Sequence, residues 1–124
     1  MKIVVVEDSA VIRKHLVALL LSIPGVSVIG EAESELEAVE MILQLYPDVV
    51  ILDVNLSPGS GFNVLKALGK AGSTSEIFML TNQTHDQYRR LSLELGATGF
   101  YDKSTGIENV LDKIRSMLQP GSSS

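Results

Sequence analysis

Five residues of this 124-residue sequence carry side chains suited to handling a phosphoryl group: Glu7, Asp8, Asp53, Thr81 and Lys103. Each ends or follows a run with strand character. Ile3 to Val6 leads into the acidic pair, Asp48 to Leu52 into Asp53, Glu76 to Leu80 into Thr81, and Ala97 to Asp102 into Lys103. Three carboxylates, a hydroxyl and an ammonium at separate strand ends match phosphoryl transfer, where catalysis is mostly positioning and charge neutralisation. Carboxylates gathered in one place repel one another, and a divalent cation relieves the repulsion. Magnesium favours oxygen ligands, keeps several waters and takes one or two carboxylates together with phosphate oxygens. Glu7, Asp8 and Asp53 are therefore expected to form an incomplete Mg2+ shell that water and incoming phosphoryl oxygens complete. Asp53 is the expected phosphoacceptor, because it ends the most apolar strand and a carboxylate can form an aspartyl phosphate. Lys103 is expected to pair with that carboxylate and then with a phosphoryl oxygen as a compact point charge, and the Thr81 hydroxyl to donate to another oxygen.

These residues can meet only if their strands end on one edge of one sheet. Ser9 to Ser22 has helical spacing at Val11, Ile12, Leu16, Leu19 and Leu20, and Pro24-Gly25 closes it. Val26 to Ala32 reads as a second strand. Ser34 with Glu37 three residues later is a capping box that opens a helix to about Tyr46, and Pro47 stops it. Asp48 to Asp53 is apolar through its middle rather than alternating, which suits a central strand covered on both faces. After the turn Ser57-Pro58-Gly59-Ser60-Gly61, a short helix is expected near Phe62 to Gly69, a strand at Glu76 to Thr81, a helix at Asp86 to Leu95 ending on Gly96, a strand at Ala97 to Asp102, and an amphipathic helix at Ile107 to Leu118. Five strands alternating with five helices through short loops predict an α/β fold, a doubly wound five-stranded parallel sheet with helices on both faces. Ligands in such sheets sit outside the carboxyl ends of the strands, where the five residues stand.

Composition agrees with one domain. The chain is 45% hydrophobic but only 5% aromatic, with no Trp and no Cys, so its core is aliphatic and neither disulfides nor thiolate chemistry enter. A formal charge of −5 without a basic run argues against direct binding to nucleic acid or to an anionic membrane. Leu16 to Leu21 is too short an apolar stretch to span a bilayer. With no secretory segment ahead of the first strand, a cytoplasmic location is expected. Residues 1–119 are expected to form the domain and 120–124 a flexible tail, a linker stub or cloning scar.

The acidic pair Glu7-Asp8, Asp53 at the third strand end, Leu80-Thr81, and Gly99-Phe100 ahead of Lys103 together resemble a response-regulator receiver domain (CheY-like) of bacterial two-component signalling, over residues 2 to 118. The resemblance implies a flavodoxin-like sheet of order 2-1-3-4-5. It implies that a histidine kinase, a phosphotransfer protein or a small phosphodonor phosphorylates Asp53, with Mg2+ held by Asp8, Asp53 and the backbone carbonyl of Asn55, and Glu7 assisting through water or from just outside. Thr81 and Phe100 would act as a coupled switch, the hydroxyl moving toward the phosphate and the ring swinging into the vacated space. The surface from about 84 to 118 would then change its preference for a partner protein, an output domain or a second copy of the chain. On this reading the chain is not an enzyme beyond its own phosphotransfer and dephosphorylation.

The sequence is least typical of the family at four positions. Ser57 stands where the turn after Asp53 usually has Pro, and Asn82 where a small residue usually follows the switch hydroxyl. Asn55 and Gln83 are neutral amides able to orient an attacking water and so set the lifetime of the phosphorylated state. Two alternatives stand beside the leading one. A haloacid-dehalogenase-like phosphohydrolase would want a second Asp two residues after the nucleophile, where Asn55 stands. A receiver-like interaction domain independent of phosphorylation would leave the acidic cluster without a transferred group.

Overall fold

The computed structural model describes residues 1–82 and 85–119, so Gln83 and the tail at 120–124 lie outside the described residues. In chain order the elements are β1 (Lys2–Val6), α1 (Ala10–Leu21), β2 (Ser27–Ala32), α2 (Glu35–Leu45), β3 (Val49–Leu52), β4 (Asn55–Leu56), β5 (Gly59–Ser60), α3 (Gly61–Lys70), β6 (Glu76–Thr81), α4 (Asp86–Glu94), β7 (Gly99–Asp102) and α5 (Ile107–Leu118). Five strands form one parallel sheet in the order β2-β1-β3-β6-β7. This is the flavodoxin-like order 2-1-3-4-5 once the two-residue strands β4 and β5 are set aside. Those two pair antiparallel as a small hairpin where the sequence reads only as a turn.

Alternation along the strands divides the core into two layers. Val4, Val6, Val50, Leu52 and Met79 face α2 and α3, packing on Ala38, Ile42, Val64, Leu65 and Leu68, with Tyr88 of α4 alongside. Ile3, Val5, Val49, Ile51, Phe78 and Leu80 face α1 and α5, packing on Leu16, Leu20, Val110, Leu111 and Ile114. All four residues of β3 are buried, as expected of a central strand covered on both sides. Val11 is a correction to the helical stripe: it is 80% exposed, while Leu16 and Leu20 carry the buried face of α1. The last strand also begins later than its apolar run, because Ala97 and Thr98 lead into it as loop.

Helix starts follow their caps. The Ser9 hydroxyl accepts from Ile12 N at 3.3 Å, and the Ser34 hydroxyl accepts from Glu37 N at 3.3 Å. The reciprocal half of the capping box lands one residue early, since Glu37 Oε1 accepts from Glu33 N at 3.0 Å. Tyr46 ends α2 in the left-handed region, at φ 50, directly before Pro47.

Candidate functional site

The sheet's hydrogen-bond ladder continues one residue beyond the strands and fixes the site from below. Glu7 N donates to Ala32 O (2.9 Å), Asp53 N to Val6 O (3.0 Å) and Lys103 N to Thr81 O (2.9 Å). These three side chains therefore leave the carboxyl edge from backbone as constrained as the sheet itself. Glu7 is 1% exposed, Asp53 5% and Thr81 0%. Burial of polar side chains on this scale requires partners, and they are present.

Lys103 Nζ lies 2.8 Å from Asp53 Oδ2 and 2.5 Å from Glu7 Oε1, bridging the two carboxylates. Glu7 Oε2 accepts from Ser9 N at 2.9 Å, and Asp53 Oδ1 from Asn55 N at 3.4 Å. Glu7, Asp8 and Asp53 each present a carboxylate oxygen, all within 4.8 Å of one another. Three carboxylates against one ammonium leave two uncompensated negative charges when all are ionised. The donor set is all oxygen and two carboxylates have open lone pairs, so the residues fit a hard divalent cation such as magnesium.

Electrostatics sorts the groups. Burial pushes the Glu7 carboxyl above its usual range, against the opposing pull of Lys103 and the Ser9 N–H. Asp8 is held below the usual range, first by its hydrogen bond with Glu7 and further by the Ser57 hydroxyl and the Lys103 charge. Burial pulls on the Lys103 ammonium, but the hydrogen bonds to Asp53 and Glu7 outweigh it and its pKa is raised. Asp8 is thus kept ionised more firmly than Glu7, and Lys103 stays a cation.

The structure brings Glu7, Asp8, Asp53 and Lys103 together, and joins Thr81 to Lys103 through the backbone. Phe100 is buried on the α2 and α3 side of the sheet, and alternation from Ile77 and Met79 places Thr81 on that same side. Met79 is in register with Phe100 and Thr81 with Asp102, so the two switch candidates sit one pair apart on one face. The Arg89 guanidinium of α4 lies 5.1 Å from the Phe100 ring centroid. Asn82 is exposed and joins Val11, Ile12, His15, Lys103 and Ile107 around a groove of about 270 Å³ beside the acidic cluster.

Other contributors were not evident from sequence. Gly61 reads as turn punctuation, yet a Cβ there would lie 2.2 Å from the Asp53 carbonyl oxygen, so only glycine lets α3 start against the backbone of the phosphoacceptor candidate. The available signal was its place directly after the Ser60 cap, where a helix former is the usual choice. Arg13 donates to the Glu7 carbonyl at 2.6 Å and pairs with Glu31 at 3.3 Å, tying α1 to the acidic loop. The Ser57 hydroxyl donates to Asp8 Oδ2 at 3.3 Å.

Comparison with known proteins agrees with this geometry. Residues 3–115 match the response regulator receiver domain family. The chain is 32% identical over 118 residues to the uncharacterized transcriptional regulatory protein YvfU of Bacillus subtilis, covering 95% of this chain and 59% of that one. It is 34% identical over 125 residues to protein-glutamate methylesterase/protein-glutamine glutaminase 1 of Methanosarcina acetivorans, covering 94% of this chain and 36% of that one. Among solved structures, the response regulator domain of Thermotoga maritima CheB superposes with a TM-score of 0.85 at 28% identity, covering 97% and 98% of the two chains. The chain thus spans roughly a third to three fifths of the length of these two curated relatives. No helix among the described residues is long and apolar enough to cross a membrane. The chain belongs to the response regulator receiver domain family of two-component signalling.

Proposed function

We propose that the chain accepts a phosphoryl group on Asp53 from a phosphohistidine of a kinase or phosphotransfer protein, or from a small acyl phosphate, and transmits the change to a partner. The observation that carries this reading is the Lys103 ammonium held between Asp53 and Glu7 while Asp8 completes an oxygen cluster 4.8 Å across. An Asp53 carboxylate oxygen attacks phosphorus, the phosphorus bond to the donor imidazole or acid breaks, and the leaving group departs with the bonding electrons. Asp8, Asp53 and the carbonyl of Asn55 would hold the magnesium ion, whose charge offsets that of the phosphoryl oxygens. Glu7 assists from outside direct contact.

Phosphorylation raises the charge at Asp53 from one negative to nearly two. Lys103 then favours the phosphoryl oxygens over Glu7, and the Thr81 hydroxyl donates to another of them. Movement of Thr81 frees space on the face it shares with Phe100, whose ring couples through Arg89 to α4. The surface of α4, β7 and α5 is the output, read by a partner protein, a further domain or a second copy. The groove beside Lys103 gives the phosphodonor protein an apolar seat. The chain acts as a switch by population shift, without turnover of an outside substrate.

The test is incubation with Mg2+ and an acyl phosphate, followed by intact-mass spectrometry. One base-labile phosphoryl group is expected on the wild type and none on Asp53→Asn. No incorporation from small donors or from kinases overturns the reading.

A further inference from the structure

Asp8 stands on the loop after β1, and its side chain reaches across to the segment that follows Asp53. There the Ser57 hydroxyl donates to Asp8 Oδ2 at 3.3 Å. Ser57 is not adrift at a loop tip. Its own N–H donates to Glu33 O at 3.1 Å, and the neighbouring Pro58 carbonyl accepts from Glu35 N at 3.0 Å. The far arm of the hairpin is clamped as well, since Glu35 Oε1 accepts from Ser60 N at 3.0 Å and from Asn63 Nδ2 at 3.1 Å. Gly59 makes that clamp feasible: a Cβ on it would lie 2.3 Å from Glu35 Cβ. The hairpin that carries Asn55 and Ser57 is therefore docked onto the start of α2.

We propose that Ser57 is a positioning residue for magnesium, holding the Asp8 carboxylate oriented from a frame anchored on α2. The role rests on the reading of Glu7, Asp8 and Asp53 as the magnesium site. Mg2+ demands near-ideal octahedral geometry and sheds its waters reluctantly, so a carboxylate that must first be ordered binds it more weakly. A hydroxyl on one lone pair of Oδ2 removes rotational freedom from Asp8, and the carboxylate has enough acceptor sites to bind the ion as well. Because the hydroxyl is neutral, it orders the ligand without competing for the charge. Hydrogen-bond partners of metal ligands commonly change affinity by tenfold or more when removed, and a single 3.3 Å bond at an exposed serine belongs at the low end.

The experiment is calorimetric titration of the whole 124-residue chain with MgCl2, for the wild type, Ser57→Ala and Ser57→Thr, together with urea unfolding of each in EDTA. Ser57→Ala is expected to weaken Mg2+ binding by about fivefold to tenfold with an unchanged urea midpoint, and Ser57→Thr, which keeps the hydroxyl, to stay within about twofold of the wild type. Wild-type affinity in Ser57→Ala overturns the positioning role alone. An equal loss in Ser57→Thr, or a loss matched by a lower urea midpoint in EDTA, also overturns it, because general disruption of the hairpin then accounts for the change. Absence of Mg2+ binding by the wild type overturns the magnesium reading and this role together.

Discussion

Replacing Lys103 by Met removes the ammonium but keeps most of the aliphatic stem, so it isolates charge from packing. The ammonium bridges Asp53 and Glu7, both nearly fully buried, and without it those carboxylates face each other and Asp8 uncompensated. Breaking a buried ion pair by removing one partner costs about 3–5 kcal/mol. The protein has an escape that caps the cost, which is to protonate Glu7, already the carboxyl pushed upward by burial. Protonating a group with an ordinary pKa near 4.3 costs about 4 kcal/mol at pH 7 and about 1 kcal/mol at pH 5. The sign follows from linkage: a carboxyl whose folded pKa exceeds its unfolded one gives the folded state more protons, so its contribution is present at low pH and is lost as pH rises. Lys103→Met should therefore be destabilised by about 4 kcal/mol at pH 7 and about 1 kcal/mol at pH 5, and millimolar Mg2+ should restore part of the loss at pH 7. Urea unfolding followed by circular dichroism at the two pH values, in EDTA and then in Mg2+, measures all three terms. Equal destabilisation at both pH values would refute the argument, because lost packing does not titrate.

Gly61→Ala should lower stability by about 2 kcal/mol and the melting temperature by roughly 8 °C, since the new methyl meets backbone rather than a yielding side chain; calorimetry checks it. Ser34→Ala should cost about 1 kcal/mol in urea unfolding through loss of the α2 cap, and leave phosphoryl incorporation at Asp53 unchanged. Arg89→Ala should cost about 0.5–1 kcal/mol and shift the Phe100 ring resonances, because the guanidinium over that ring is removed. Val11→Glu places a charge in the groove beside Lys103. It should slow phosphoryl transfer from a kinase at least tenfold while leaving transfer from an acyl phosphate within twofold, as read by radiolabel incorporation.

The sheet was legible in the sequence because its signals are local. Apolar runs at 3–6 and 49–52, Ser caps at 9 and 34, and Pro47 beyond α2 each act over a few residues, and the structure keeps every one of those boundaries within a residue or two. Val11 failed for a related reason: helical spacing shows which residues share a stripe but not which end of the stripe runs past the edge of the sheet. Its neighbour Leu16 meets the core while Val11 lies beside the carboxyl edge. The hairpin β4–β5 was invisible because two residues per strand carry no periodicity, and it is the docking of Glu35 from another element that holds it.

The same division runs through the site. Glu7, Asp53 and Lys103 were legible because each continues a strand, and the ladder bonds to Ala32, Val6 and Thr81 carry the register of the sheet out to them. Asp8 and Ser57 stand on loops and Asn55 on the two-residue strand β4, where position is set by partners distant in the chain, such as the 49-residue separation between Ser57 and Asp8. Strand-borne groups are costly to move, since displacing one breaks a backbone bond inside a packed sheet, whereas loop-borne groups answer to single side-chain contacts. On the proposed reading, acceptance of a phosphoryl group by Asp53 would therefore depend mainly on the rigid set, and the fine adjustment of magnesium binding on the loop-borne one. Substitutions at Ser57 and Asn55 should tune the site without dismantling it, while loss of Lys103 or crowding at Gly61 strikes the frame itself.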